Sequence, residues 1–212
     1  MRFVQCTILF FTFLTMASDN ILFLAHFNES LIPEIAKGGA SSGSANVEIS
    51  GGAGMFFDNH KQANAGLDLT RNHAWLAFPA TKNIDLDRGT LQLWIKPTAW
   101  VRNGDDFARI FWLSYTPERK PDGGASPFML NKALKTWELE FRNFKSWRDY
   151  IISFSVSNWD SKDWHQIALT WEKNSKRVLY VDGLARNESA YHRPEKEADE
   201  IIFGAPFRGN KA

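Results

Sequence analysis

Two alternating apolar runs on either side of a short polar segment constrain the fold of this chain more than any other feature. The runs are HQIALTW at 165–171 and RVLYVDG at 177–183. Strict alternation is typical of a β-strand with one buried face, and a short polar connection is typical of a β-hairpin. Asn174 in the connection tolerates a left-handed backbone, and Asp182-Gly183 is a common tight-turn pair. The segment therefore predicts a hairpin followed at once by a second reversal of the chain.

The side chains of the predicted hairpin should fall into two layers. Alternate residues of the first run, namely His165, Ile167, Leu169 and Trp171, should point to the same face of the sheet. We expect Val178 and Tyr180 of the second run to share that layer, with Leu179 and Val181 facing the opposite way. The aromatic residues of the hairpin should serve the core rather than a ligand.

The same alternation of strands and turns continues along the rest of the chain. Further strands are predicted near residues 90–96, 109–115, 136–144 and 150–157, between segments rich in Gly, Asn, Asp and Pro. Residues 30–54 are rich in Gly, Ser and Ala, and we expect an irregular connection there with at most one brief strand at Val47–Ile49. No segment keeps a helical period over three turns. The pattern predicts an all-β, antiparallel sandwich or barrel.

Residues 1–17 have the features of a secretory signal peptide. Arg2 precedes an apolar run that is too short to span a membrane, and Thr15-Met16-Ala17 is a cleavage pattern, so we expect cleavage after Ala17. The alternative is a buried N-terminal β-strand. A cleaved signal would make the protein secreted or surface-exposed. It would also remove Cys6, the only cysteine, and with it any disulfide or cysteine-bound metal.

The charge balance bears on the class of partner. The full chain has 25 Lys and Arg against 24 Asp and Glu. The predicted signal holds Arg2 and no acid, so the mature chain has equal numbers of both signs. Such a chain offers no electrostatic reason for binding nucleic acid or an anionic membrane. No run in the mature chain is long and apolar enough to span a bilayer.

Several segments of the chain resemble one family in order and spacing. The most specific are Trp164–Trp171 followed by Leu179–Gly183. Weaker matches are Phe23–Asn28, Ala65–Leu69, Gly89–Pro97 and Ile202–Gly204. Together they resemble laminin-G-like (concanavalin A-like lectin/glucanase) jelly-roll domains. The resemblance implies one jelly-roll domain over residues 18–212. Because the family's last strand usually follows the last match closely, we expect this domain to lack that strand.

The resemblance also bears on metal binding. Family members often hold calcium with an Asp after the first strand and a second Asp on the last strand. Asn28 occupies the first position here, so Asn28 is the candidate ligand for Ca²⁺, and we expect no other cofactor. Asp85-Leu86-Asp87-Arg88-Gly89 begins like a calcium loop, but its twelfth position is Lys96 instead of Glu. We interpret it as a turn before a strand.

The candidate ligand-binding residues are tryptophans in predicted loops. Most Trp residues of a β-sandwich fill the core, and we expect this of Trp164 and Trp171 in the family motif. Trp100, Trp147 and Trp159 lie near predicted loops, where their flat faces could stack on sugar rings.

The candidate catalytic residues form an incomplete set. Glu138 and Glu140 share one face of a predicted strand, and glycoside hydrolysis uses paired carboxylates. The hydrolases of this fold carry three acids along one strand, whereas the third position here falls in Phe141-Arg142-Asn143. We therefore assign no catalytic residue and expect both glutamates on a solvated face.

The sequence favours a secreted or cell-surface binding module for a carbohydrate or an extracellular protein. Asn28-Glu29-Ser30 and Asn187-Glu188-Ser189 would be glycosylation sites if the source is a eukaryote. One alternative is a glycoside hydrolase or lyase, or the accessory domain of an enzyme whose catalytic domain lies beyond residue 212. Another alternative is a structural spacer within a larger surface protein.

Overall fold

The computed structural model describes twelve segments of the 212-residue chain. These are residues 21–25, 30–39, 43–45, 48–50, 66–68, 74–97, 108–114, 128–133, 136–142, 150–160, 162–194 and 197–204. The predicted signal peptide and the predicted loss of a last strand concern parts of the chain outside these ranges, and both stay predictions. No helix among the described residues is long and apolar enough to cross a membrane.

The described residues form short antiparallel strands. In chain order these are β1 Phe23–Leu24, β2 Ile35–Ala36, β3 Gly43–Ala45, β4 Glu48–Ser50, β5 Gly66–Asp68, β6 Trp75–Pro79, β7 Arg88–Ile95, β8 Ala108–Ser114, β9 Met129–Lys132, β10 Glu138–Arg142, β11 Ile151–Ser155, β12 His165–Glu172, β13 Lys176–Val181, β14 Leu184–Ala190 and β15 Glu200–Gly204.

Two sheets dominate the described part of the chain. One has seven strands in the order β11-β10-β9-β8-β15-β6-β3, and the other has four in the order β14-β13-β12-β7. Two further pairs, β1-β2 and β4-β5, stand apart from these sheets. Every pairing is antiparallel, which confirms the predicted all-β sandwich.

The core lies between the inner faces of the two sheets. Leu139 and Phe141 of the seven-stranded sheet and Ile167 and Leu169 of the four-stranded sheet are almost fully buried in one cluster. Phe128 lies among aromatic rings in this cluster, with its centroid 5.2 Å from Phe141, 5.1 Å from Trp171 and 6.0 Å from Tyr191. Edge-to-face aromatic contacts of this kind stabilise a core beyond simple burial of apolar area.

The register of the central hairpin corrects the predicted layers. Leu169 pairs with Leu179 and Ile167 pairs with Val181, so these four residues share the buried face. The prediction that Val178 and Tyr180 share the face of Ile167 was wrong. The reason is the connection: Glu172 and Lys176 are the last and first strand residues, so three residues join the strands and set the pairing.

The backbone of both predicted turns has the expected left-handed residues. Asn174 has a φ of 61°, Asp182 one of 51° and Gly183 one of 76°. Val181 pairs with Leu184, so Asp182 and Gly183 form a two-residue hairpin loop. Positive φ at both positions of such a loop matches the twist of the flanking strands.

The Gly- and Ser-rich segment at residues 30–54 has more strand structure than its composition predicted. β2, β3 and β4 all lie within it, and β3 pairs with β6 at the end of the seven-stranded sheet. A strand of small residues has weak intrinsic preference for a sheet, so it forms here because a buried neighbour such as β6 supplies the backbone partners.

Candidate functional site

The predicted site residues fall into two groups. Trp100, Trp147 and Asn28 lie outside the described residues, so their roles in ligand or calcium binding stay predictions. Trp159 and Asn187 are described, and the structure places them in different surroundings. Among the described residues, no group of three or more His, Cys, Asp and Glu side chains could hold a metal ion.

Trp159 belongs to a three-residue group that we name the Trp159 cluster, made up of Trp159, His165 and Asp182. The indole of Trp159 stacks on the imidazole of His165, with ring centroids 3.8 Å apart and planes only 6° apart. His165 Nδ1 lies 3.0 Å from Asp182 Oδ2. Because an ionised carboxylate only accepts hydrogen bonds, this contact gives Nδ1 the proton. Trp159 and His165 therefore form one oriented aromatic pair.

The backbone around the cluster fixes this arrangement. The Gln166 N–H donates to Asp182 Oδ1 at 2.9 Å, and the Asp182 N–H donates to the Gln166 carbonyl at 2.9 Å. Asp182 is thus both a turn residue and the residue that orients His165. The Trp159 N–H donates to the Val156 carbonyl, which closes the turn that carries the indole. Sequence patterns identified Trp159 by its loop position but missed its stacking, because the stacking depends on how this turn returns to β12.

The surface beside the cluster is polar. Ser157, Asn158 and Asp160 are exposed on the same turn as half-buried Trp159, and Lys162 and Asp163 are exposed next to it. The hydroxyl, amide and carboxylate groups there can donate or accept hydrogen bonds. Trp159 also packs against the hydrophobic core, so the exposed part of its indole is what a ligand with one apolar face and a polar periphery can contact.

A cleft lies at the other end of the β7–β12 pair. His165 pairs with Ile95 at one end of these strands, and Glu172 pairs with Arg88 at the other end. Seven residues of extended strand separate the two ends, which is about 23 Å. The cleft has a volume of about 490 Å³. We name it the Asp85 cleft, and its lining residues are Leu22, Lys37, Lys82, Ile84, Asp85, Leu86, Asp87, Arg193 and Glu197.

The acidic turn in this cleft confirms the interpretation of residues 85–89 as a turn before a strand. The Asp87 N–H donates to Asp85 Oδ1 at 2.8 Å, and β7 begins at Arg88. Arg193 and Lys173 pair with the carboxylate of Asp87. The hydrogen bond from Arg193 is the main reason why the pKa of Asp87 lies below its usual range. Cationic side chains therefore occupy the carboxylate of Asp87.

Asn187 lies on the exposed strand β14. Its Nδ2 donates to the Ser153 carbonyl at 3.0 Å, which connects the outer strands of the two sheets. The hydroxyl of Ser189 in the same sequon accepts from Arg177 Nε at 2.9 Å. Glycosylation at Asn187 stays a prediction, and the folded chain gives its side chain a structural contact.

The comparison with known families agrees with this architecture. Residues 70–211, which are more than half of the chain, match the family described as the concanavalin A-like lectin/glucanases superfamily. The chain belongs to this superfamily. A comparison with curated proteins finds no match.

Solved structures similar to this superfamily member include receptor-binding domains of botulinum neurotoxins. The C/D mosaic domain superposes with a TM-score of 0.64 at 15% identity, over 91% of this chain and 45% of that one. The type G domain gives 0.60 at 13% identity, over 87% and 42%. The serotype D domain gives 0.60 at 16%, over 90% and 44%. This chain spans less than half of each of those structures, and the similarity shows a shared fold.

The glutamates of β10 do not match the acidic set of hydrolases in this superfamily. Glu138 is exposed, but Glu140 is only 9% exposed, so the prediction that both are solvated was wrong for Glu140. Arg142 Nε donates to Glu140 Oε2 at 2.7 Å, and Asn131 Nδ2 donates to the same oxygen at 3.4 Å. The burial follows from topology, because β10 lies between β9 and β11 and neighbouring side chains cover its face.

The motif tryptophans differ in their burial. Trp171 is 4% exposed within the core, and its Nε1 donates to the Asp85 carbonyl at 3.0 Å. This confirms its predicted core role. Trp164 is half-buried, and the Lys96 ammonium lies 5.9 Å from its ring centroid.

Proposed function

We propose that this chain is a secreted or cell-surface binding module without catalytic activity, which recognises carbohydrate through the Trp159 cluster. The observation that carries the proposal is the flat stacking of Trp159 on His165 beside exposed polar groups. Membership in a superfamily of lectins and glucanases supports a carbohydrate ligand.

The geometry of the cluster suits a sugar ring. The C–H groups of a sugar face are apolar and pack on an indole, while the hydroxyl groups at its edge need hydrogen-bond partners. Asn158 and Asp160 on the same turn supply such partners. Because His165 and Asp182 already hold the indole in place, binding would cost little side-chain entropy.

The similar solved structures favour binding over catalysis. They are named as receptor-binding domains, which is a recognition role for those neurotoxins. The sequestered Glu140 also supports a module without glycosidase chemistry. Secretion is supported by the predicted signal at residues 1–17, and a calcium requirement rests on the prediction for Asn28.

A glycan array tests the proposal with the full chain in the presence and absence of millimolar calcium. We expect saturable binding to at least one glycan, and we expect Trp159→Ala to weaken it at least about fivefold by removing the stacking face. Lys176→Ala is the control, because it changes an exposed side chain at the end of β13 far from Asp182 and leaves the indole in place.

Two results would contradict the proposal. One is the absence of glycan binding under both calcium conditions. The other is equal binding by the wild type and Trp159→Ala. Release of reducing sugar from a bound polysaccharide, lost in Glu140→Gln, would instead support the hydrolase alternative.

A further inference from the structure

One buried asparagine joins the two chain segments that contribute Lys37 and Lys82 to the lining of the Asp85 cleft. Asn83 is 4% exposed, and its side chain accepts from the Gly38 N–H at 2.7 Å. It also donates to the Pro79 carbonyl at 2.8 Å and to the Gly39 carbonyl at 3.3 Å. A Cβ atom at Gly38 would lie 1.8 Å from the Thr81 carbonyl oxygen, so the two backbones approach closely here. The cleft wall is therefore fixed to the turn after β6.

The floor of the cleft is a turn held from the inside. The carbonyl of Asp85 accepts from Trp171 Nε1 at 3.0 Å, and that of Leu86 accepts from the Tyr191 hydroxyl at 2.7 Å. The carbonyl of Asp87 accepts from the Lys173 N–H at 2.6 Å. Three successive carbonyls thus have partners on the core side, so the turn is set before any ligand arrives.

The charges around the cleft divide into a paired and an unpaired group, and Lys37, which also lines the cleft, has a contact of its own. Arg193 pairs with both Asp87 and Glu197, and Lys173 lies 3.6 Å from Asp87. These four charges compensate one another. Within the described part of the chain, Lys82 and Asp85 have no ion-pair partner. Both line the cleft and are exposed, and they flank Ile84 along the turn.

We propose that the Asp85 cleft binds an extended peptide segment of a partner protein, with one acidic and one basic side chain on either side of an apolar residue. The acidic side chain pairs with Lys82 and the basic one pairs with Asp85, while the backbone of the residue between them lies over Ile84. In an extended segment, residues two apart point to the same side, which suits a ligand with separated charges.

Charge complementarity favours this occupant over a simple ion. A small anion beside Lys82 would leave Asp85 uncompensated, and a cation beside Asp85 would do the same to Lys82. The mixed-charge peptide satisfies both. The cleft and the Trp159 cluster lie at opposite ends of β7 and β12. Peptide binding at the cleft can therefore be tested separately from carbohydrate binding at the cluster.

Nuclear magnetic resonance on the full chain tests the inference with short blocked peptides. The probes are acetyl-Gly-Asp-Leu-Lys-Gly-amide, its Lys-Leu-Asp counterpart, and the uniform Glu-Leu-Glu and Lys-Leu-Lys versions. We expect a saturable shift of the Ile84 methyl signals with a mixed-charge peptide, weakening as salt rises. The uniform peptides should bind at least about threefold more weakly, because one pairing becomes a repulsion.

Matched variants identify the residues responsible. Asp85→Asn keeps an acceptor for the Asp87 N–H and removes the charge, and Lys82→Gln removes the other charge. We expect each to weaken the mixed-charge peptide about threefold or more, while Lys162→Gln, on the distant turn, leaves it unchanged. The inference is overturned if no mixed-charge peptide gives a saturable shift, or if the uniform peptides or either variant bind as tightly. The amide spectrum of each variant reports that it is folded.

Discussion

Arg177 shows at the scale of one residue how this fold tolerates a buried charged side chain. Its side chain is 0% exposed on the buried face of β13, directly opposite Trp171. Only Nε has a hydrogen bond, to Ser189, and within the described chain both terminal nitrogens are buried without a partner. Burial lowers the pKa of Arg177 to about 10, partly offset by the nearby Tyr191. The charged form is therefore less favourable in the folded state than in water.

Replacing Arg177 with methionine should stabilise the protein. A buried charge without partners often costs more than an apolar side chain of similar size, so Arg177→Met should raise the free energy of unfolding at pH 7 by about 1–4 kcal/mol. Because the folded-state pKa is lower than the unfolded one, the wild type gains stability as pH rises above about 10. The difference between variant and wild type should shrink there. Urea denaturation of both proteins at pH 7 and at a pH above 10 measures this difference in the free energy of unfolding.

Lys176→Met is the control for this prediction. Lys176 is the exposed neighbour of Arg177 and pairs with Glu188 at 2.7 Å on the surface. Exposed ion pairs contribute little to stability, so losing this one should leave the free energy of unfolding nearly unchanged. A lower stability of Arg177→Met than of wild type at pH 7 would show that the guanidinium has a favourable role in the core.

At the scale of elements, the short pair β1–β2 depends on a contact outside itself. Only two residue pairs join these strands, Phe23 with Ala36 and Leu24 with Ile35. Isolated two-stranded ribbons are marginal in water. Asn83 supplies part of this support by bonding the backbone of Gly38 and Gly39, and Phe23 supplies another part by packing on Phe78 in the core.

Replacing Asn83 with alanine should loosen this pair and leave the main sheets intact. Asn83→Ala removes three hydrogen bonds and leaves buried backbone groups without partners, so we expect a loss of about 1–3 kcal/mol in the free energy of unfolding. Amide hydrogen exchange should accelerate at Lys37 and Gly39 and stay slow in β12. Asn158→Ala, at an exposed turn, is the control. Uniform acceleration in every strand would contradict a local role.

The sequence predicted the strands with clear alternation and missed those without it. β7, β8, β10 and β11 lie close to their predicted positions because alternating or continuous apolar residues mark each of them in the sequence. β9 was missed because its four residues include buried Asn131 and Lys132, which resemble surface residues in a sequence. β14 was missed because nearly all of its residues are exposed, so no alternation marks it.

At the scale of the whole molecule, the acidic turn joins segments that are far apart in the chain. Arg193, which follows β14, pairs with Asp87, which precedes β7. The same turn accepts hydrogen bonds from Trp171 and Tyr191. The turn thus connects the end of the four-stranded sheet to its first strand.

This connection should weaken in acid. The pKa of Asp87 is lowered in the folded state, chiefly by the hydrogen bond from Arg193. Its contribution is therefore complete above the ordinary carboxyl pKa of about 4 and is lost as pH falls through the lower folded value. Asp87→Asn should slightly lower the melting temperature at pH 7, and the difference should disappear at strongly acidic pH. Asp163→Asn is the control, and a difference that persists in acid would contradict the prediction.

The sequence by itself determined the strands with clear alternation, the turns of the central hairpin and the family. Alternation at 150–157 and 165–171 specifies strands because side chains on a strand alternate between faces. Asn174 and Asp182-Gly183 specify turns because they tolerate positive φ. These are local properties, and neighbouring residues are enough to define them.

The tertiary structure decided what the side chains do. It placed Leu179 rather than Val178 in the core, covered Glu140, and stacked Trp159 on His165. It also brought Arg193 to the acidic turn that lines the Asp85 cleft. Each outcome depends on strand register or on contacts between residues distant in the chain. Local patterns carry no information about such contacts until the sheets are assembled.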